Sequence, residues 1–362
     1  MVIFGNIKVK IMINGNLKFK NETEYRETSM DSSSSLKDFS IDRKRYFKKY
    51  VLLETVEEKD TQAILMGKLV ETLLWEAEKF DDKFYMSACV SAPTGLMLAF
   101  VEALYDATKE ATNESGEVTK DFAELSREAY EKSGFKIKYE AVIAKFVGSD
   151  AEIYYNEIRT VRSQGLMVAT PNDVANAEKI VEELRNNQFT RDIIGLVDSK
   201  RYTVRVQVQV EGFKIDGHLM KAMMDLEIAD HVEQTLQIYD LKVTWSVEEF
   251  FENYYLYRRG YVQAFVYYGA GLYLVKTNEE YTGYKVLPPK FIVCDSTNYY
   301  NPLIYTLTED DLNDAYEGFE YKGRQYPGVK SIIVDLKWAL EMSIWNISRE
   351  NYESNGIVKL KK

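Results

Sequence analysis

Soft-metal ligands are scarce: the 362 residues hold only two cysteines, Cys89 and Cys294, and two histidines, His218 and His231. Two thiols exclude a disulfide framework, a four-cysteine zinc site, and an iron–sulfur cluster held wholly by the chain's own thiolates. Two histidines argue against a histidine-rich zinc site, and a Ser-His-Asp triad would have to use one of them. Neither histidine has a second metal ligand at a recognisable spacing, so both are assigned to structure or surface. No run of about 18 apolar residues occurs, and no basic, apolar and small-residue leader opens the chain, so the expectation is a soluble cytoplasmic protein without a membrane partner.

Positive charge is also in deficit. Lys and Arg number 46 against 57 Asp and Glu, a net charge of −11. A surface of that sign does not wrap nucleic acid nonspecifically, so any polyanion has to be met by a local cluster of cations. What remains is carboxylate chemistry, and any metal must be held mainly by oxygen.

A hydrophobic content of 46% can bury a substantial core in one large domain or two ordinary ones. Residues 6–20 alternate Ile7, Val9, Ile11 and Ile13 with polar positions before Asn14-Gly15, a hairpin signal with a type I′ turn. A serine-rich stretch at 28–35 precedes a basic helical pattern, with six Lys or Arg against two Asp over 36–50. A second helix is expected over about 61–79, where Ile64, Leu65, Leu69, Leu73 and Leu74 recur at helical spacing. Residues 93–197 read as almost wholly helical, with Thr170-Pro171 as an N-cap followed by proline at the first helical position.

After Tyr202 the period falls to two. Val204, Val206, Val208 and Val210 alternate with polar residues, the mark of a strand with one buried face. Further strands are expected at about 217–228 and 236–244, and a helix at about 247–268.

Asp225 is expected to end the second of these strands, and Asp240-Leu241-Lys242 lies on the third, fifteen residues beyond Asp225. Alternation puts Asp240 and Lys242 on one face while Leu241 turns into the core and leaves its carbonyl near the site. Two carboxylates and a carbonyl make a hard oxygen pocket for Mg²⁺, with Mn²⁺ as a substitute. Such an ion beside an ammonium suits phosphodiester hydrolysis. An Asp-x-Lys triplet alone is weak, since Asp335-Leu336-Lys337 repeats it. The first copy stands out because Asp225 precedes it and a helix with Gln263 and Tyr267, at i and i+4, follows it.

Taken in that order, Asp225, Asp240-Leu241-Lys242 and Gln263-Ala264-Phe265-Val266-Tyr267 resemble motifs II, III and IV of the RecB-like and RecE-like nucleases of the PD-(D/E)XK superfamily, whose last motif reads QxxxY. Gly67 through Glu71 into Trp75-Glu76 is similar to the RecE segment of glycine, three residues and histidine. Glu71 stands where that histidine would be, closer to the acidic residue of lambda exonuclease-like enzymes. The resemblance implies that Glu71 binds a second metal directly or through water. Ser33-Ser34-Ser35-Leu36-Lys37 resembles the serine-containing start of the same nucleases, which implies DNA contacts by Ser34, Ser35 and Lys37. An equally open reading makes Ser34 or Ser35 a helix N-cap ahead of a solvated basic face, with Arg43, Arg45 and Lys49 touching phosphates nonspecifically.

On this resemblance the fold class is α/β (α+β), a restriction-endonuclease-like core with a central mixed sheet flanked by helices. One nuclease domain over 1–362 would comprise an N-terminal ornament at 1–27, a helical insertion at 94–198, and a core mainly at 28–93 and 199–310. The implied function is a Mg²⁺-dependent exonuclease acting 5′-to-3′ on linear duplex ends. The resemblance also implies phage-type recombination, a ring-shaped homo-oligomer (trimer or tetramer), and a single-strand annealing partner. Two alternatives stay open: a RecB-like or CRISPR-adaptation-like nuclease acting on single strands or flaps, and a catalytically silent DNA-binding recombination partner.

Overall fold

The computed structural model describes residues 2–4, 7–9, 28–54, 62–297 and 301–358. They fall into two compact units, residues 1–59 with 184–362, and residues 60–183.

The first unit opens with β1 (Val2–Phe4) and β2 (Ile7–Val9), which pair antiparallel. The turn expected at Asn14-Gly15 lies outside the described residues. Helix α1 (Ser33–Ile41) is capped by Ser32, whose hydroxyl accepts from the Ser35 N–H while the Ser35 hydroxyl accepts from the Ser32 N–H. This reciprocal box satisfies two of the orphan donors at a helix start. The cap is therefore Ser32, not Ser34 or Ser35. A short helix at Arg43–Tyr46 and a π-helical turn at Phe47–Val51 follow. The Trp345 indole stacks on Phe47 and Tyr46 at 4.9 and 5.9 Å and meets Phe39 edge-on.

The second unit holds α2 (Gln62–Trp75) and β3 (Phe84–Met86). It continues with α3 (Gly95–Glu110), α4 (Phe122–Ser133), α5 (Tyr139–Phe146) and α6 (Asp150–Val161) around buried Phe100, Leu104, Phe146 and Ile158. Strand β4 (Met167–Ala169) pairs in parallel with β3 within this unit, which spans residues 60–183. Helix α7 (Pro171–Asn186) starts at the expected proline, with Thr170 and Asp173 bonded to each other across the first turn.

The chain returns to the first unit through β5 (Tyr202–Ile215), β6 (His218–Asp230), β7 (Thr235–Thr244), β8 (Lys285–Val286), β9 (Lys290–Asp295) and β10 (Leu303–Thr306). The sheet order is β10-β9-β7-β6-β5, with β8 also on β7. Pairs with β7 are parallel for β8 and β9, and the remaining pairs are antiparallel, so the sheet is mixed. Asp216 and Gly217 both take positive φ, 48° and 76°, which makes the two-residue turn between β5 and β6. Strand β5 is the sheet edge, and residues 202–209 are half-buried throughout, so its valine alternation does not give one clean buried face.

The helix expected over 247–268 is broken. A π turn ends at Leu256 after starting at Phe251, Arg259 adopts a left-handed φ of 56°, and α8 (Gly260–Thr277) begins only after it. Helix α8 lies against the sheet and is buried over most of its length. Gly271 permits that approach, since a Cβ there would sit 2.8 Å from Ile238 Cδ1 and 2.9 Å from Val286 Cγ1. Helix α9 (Glu309–Glu317), the hairpin β11 (Gly318–Tyr321) and β12 (Arg324–Pro327), α10 (Val329–Met342) and a short helix at Arg349–Glu353 follow. No helix among the described residues is long and apolar enough to cross a membrane.

Candidate active site

The ladder between β6 and β7 runs from Asp230↔Thr235 to Leu226↔Tyr239 and is not continued to Asp225 and Asp240. From Tyr239 onward β7 pairs in parallel with β9 on its other side. Asp225 fills the parting: its Oδ2 accepts a hydrogen bond from the Leu241 N–H at 2.8 Å. A side chain takes the place of a ladder carbonyl, which keeps a buried amide satisfied and ties the two acidic strands together. Asp225 thus stands inside β6 rather than at its end.

Asp240 is 1% exposed. Its Oδ1 accepts from Gln263 Nε2 at 2.6 Å. Its Oδ2 pairs with Lys242 Nζ and takes no other hydrogen bond among the described residues. Lys242 also donates to the Leu241 carbonyl at 3.1 Å. Burial pulls the Lys242 ammonium down, but the Asp240 carboxylate outweighs it and holds the pKa well above its ordinary value. Lys242 therefore remains a cation at neutral pH.

Helix α8 supplies the organising amide. Gln263 Nε2 reaches Asp240 and the Tyr267 hydroxyl, the latter at 3.0 Å, and Tyr267 donates onward to the Met223 carbonyl at 2.6 Å. Gln263 Oε1 accepts from Tyr254 at 2.7 Å and from Lys37 Nζ at 3.0 Å. Both ends of the carboxamide are committed, so its orientation is fixed by its partners. Burial raises the Tyr254 hydroxyl far beyond the ordinary phenol range, which keeps it a donor. Tyr254 was legible in the sequence only as one of many aromatics on its segment. Its place in the network depends on the break at Arg259, which no periodicity reports.

The structure brings Asp225, Asp240, Leu241, Lys242, Gln263 and Tyr267 together within the first unit. Lys37 joins them instead of lying on an outward basic face. The other expected DNA contacts differ among themselves. Ser34 is exposed on the first turn of α1, whereas Ser35 is buried and donates to Asp31 at 2.7 Å. Arg43 pairs with Asp335 at 3.2 Å, and Arg45 and Lys49 approach Asp38 at 3.6 and 3.5 Å. Glu71 stands half-buried on α2 of the second unit, so the cluster described here is that of the first unit alone.

The second Asp-x-Lys triplet lies on α10, where Asp335 holds Arg43, Leu336 is buried and Lys337 donates to the Asp216 carbonyl at 2.8 Å. It is a tie between elements. Both histidines are likewise structural in their contacts: His218 Nε2 meets Asp31 at 2.7 Å, and His231, in the turn joining β6 and β7, lies between Thr203 and Tyr284.

A cluster of three or more His, Cys, Asp or Glu poised for a metal does not occur among the described residues. The centre offers two carboxylates and the Leu241 carbonyl, and the buried Oδ2 of Asp240 has only the Lys242 ammonium as partner among the described residues. That donor set fits Mg²⁺, which commonly takes one or two protein carboxylates and completes its shell with water and phosphate oxygens.

No family model matches the sequence. No curated protein matches it either. Among solved structures, the chain is similar to a crystal structure named "Putative exonuclease", from Eubacterium rectale, with a TM-score of 0.48 and 14% identity over 96% of this chain and 97% of that one.

Proposed function

We propose that this chain is a metal-dependent DNA nuclease with a PD-(D/E)XK core, hydrolysing phosphodiester bonds. The observation that carries the reading is the single network running from Asp225 through Leu241, Asp240 and Lys242 to Gln263 and Tyr267. Those residue types, on two parting strands and one helix, supply what phosphate ester hydrolysis needs.

Asp225, Asp240 and the Leu241 carbonyl would hold Mg²⁺ or Mn²⁺. When bound, that ion offsets charge on the phosphate and favours ionisation of water. Lys242, kept protonated by Asp240, offers N–H donors to the attacking water or to a phosphate oxygen. Gln263 holds one Asp240 oxygen in place through Nε2, which leaves the other directed to Lys242. Tyr267 braces Gln263 against the Met223 carbonyl of β6, so helix and strand fix the amide jointly.

The resemblance to RecE-like and lambda exonuclease-like proteins supports a finer reading: an exonuclease at linear duplex ends, cutting 5′-to-3′ as a homo-oligomer, in recombination with an annealing partner. Digestion of a linear duplex labelled at one end or the other, with Mg²⁺ and with chelator, tests both levels. Metal-dependent release of label that Asp240→Ala abolishes supports the nuclease, and release of the 5′ label first supports the direction. An intact duplex, nicked circle and single strand after incubation with active-site-competent protein and Mg²⁺ would sink the reading. The closed Asp240–Lys242 pair favours one competitor, a silent DNA-binding protein, which the same experiment separates by binding without cleavage.

A further inference from the structure

We infer that Lys37 belongs to the reaction centre and that its ammonium binds the phosphate group being cleaved, an inference that rests on the nuclease reading above. The other cations of its segment do something different. Arg43, Arg45 and Lys49 each lie near a carboxylate, Arg43 at Asp335 of α10 and the other two at Asp38. Lys37 instead donates to a neutral group, Gln263 Oε1, and sits 5.8 Å from the centroid of the Tyr254 ring. Gln263 is the same amide that holds Asp240, and Lys242 lies 5.4 Å from that same ring. Two ammonium groups therefore flank one tyrosine and share one carboxylate-bearing network.

Chain architecture alone does not call for a cation there. An amide oxygen is a weaker partner than a carboxylate, and a charged group with only neutral or distant partners is costly to desolvate. Burial and the nearby Lys242 charge outweigh the pull of the Asp240 and Asp38 carboxylates and lower the Lys37 pKa to about 8. An ammonium has three N–H donors, and Lys37 directs one of them to Gln263. A phosphate oxygen entering beside Asp240 would meet the remaining donors and relieve the repulsion between the two lysines. Lys37 and Lys242 would then grip the anion from two elements, α1 and β7, in a site whose low local dielectric strengthens each contact.

The test uses the full chain with Lys37→Met, Lys37→Gln and Lys37→Arg. Cleavage of a linear duplex with Mg²⁺ is followed at saturating DNA, and duplex binding in chelator is followed across a salt series. The expected result is a turnover about 10²-fold lower for Lys37→Met and Lys37→Gln, partial recovery with Lys37→Arg, and thermal stability equal to or above wild type. The salt slope of binding should fall by about 0.9, the loss of one phosphate contact. Turnover within about twofold of wild type, or a defect erased by saturating DNA, would assign Lys37 to mere backbone tracking and overturn the inference. Should wild type neither cut nor bind DNA, the nuclease reading fails and takes this inference with it. Cleavage by wild type with an unaffected Lys37→Met removes the inference alone.

Discussion

Asp225 and Leu241 are joined by a single hydrogen bond, carboxylate oxygen to backbone N–H, at the point where β6 and β7 part. The contact lets one acid serve two ends: it satisfies an amide that the ladder has abandoned, and it carries a negative charge to the site.

These two roles separate by substitution. Asp225→Asn keeps an acceptor for the Leu241 N–H and should retain nearly wild-type stability while losing cleavage. Asp225→Ala strands the buried amide and should cost about 1–3 kcal/mol as well. Urea unfolding of both variants checks the difference, and equal stability of the two would contradict the structural half of the role.

Metal linkage gives a readout independent of cleavage. If Asp240 holds Mg²⁺ in the native state only, the ion at a hundred times its Kd should stabilise wild type by about 2.7 kcal/mol. Asp240→Asn should show little of that rise. Thermal melts in a Mg²⁺ titration, reversed by chelator, decide the matter, and an equal rise in both proteins would place the ion elsewhere.

Gln263 lies 2.6 Å from Asp240, which makes it a sensitive point for a change of charge. Gln263→Glu would set two carboxylates in contact, and such a pair retains a proton to higher pH than either acid alone. The acid limb of the pH–rate profile should move upward in the variant. A superimposable profile would mean that Gln263 does not touch the working form of Asp240.

Lys37 gives a pH dependence of stability whose sign is fixed. Its folded pKa is lowered from 10.5 to about 8, by burial first and Lys242 second. Between those values the unfolded chain binds the proton more readily, so this group's contribution makes the fold more stable as pH rises from about 8 to 10.5. Lys37→Met removes the titrating group, and the difference in urea midpoint between variant and wild type should shrink over that window. A constant difference would show that the lysine is not constrained as the structure has it.

How much of this was legible in the sequence depends on the kind of interaction. Strand alternation and Asp-x-Lys spacing located β7 and put Asp240 and Lys242 on one face of it, because a period of two needs no partner to read. The QxxxY spacing placed Gln263 and Tyr267 on one helix face, although the start of that helix was masked by the left-handed Arg259 and the π turn before it. The side on which Lys37 falls was not legible: a basic run looks the same whether α1 turns that lysine outward or toward Gln263, and docking decides. Strand β3 was hidden for a similar reason, since its three residues acquire their identity only from β4, far along the chain.

Trp345 seats its indole on Phe47, Tyr46 and Phe39, the aromatic surface of the segment that presents Lys37. A nascent chain that has just reached Tyr267 already contains each residue of the first-unit network and still lacks that ring. During synthesis, the segment bearing Lys37 must wait for a residue made just over three hundred positions later before its aromatic seat is complete. A shortened product ending before Trp345 would carry the full sequence signature and keep the contacts of α1 with α8 and α10, yet lack that aromatic seat.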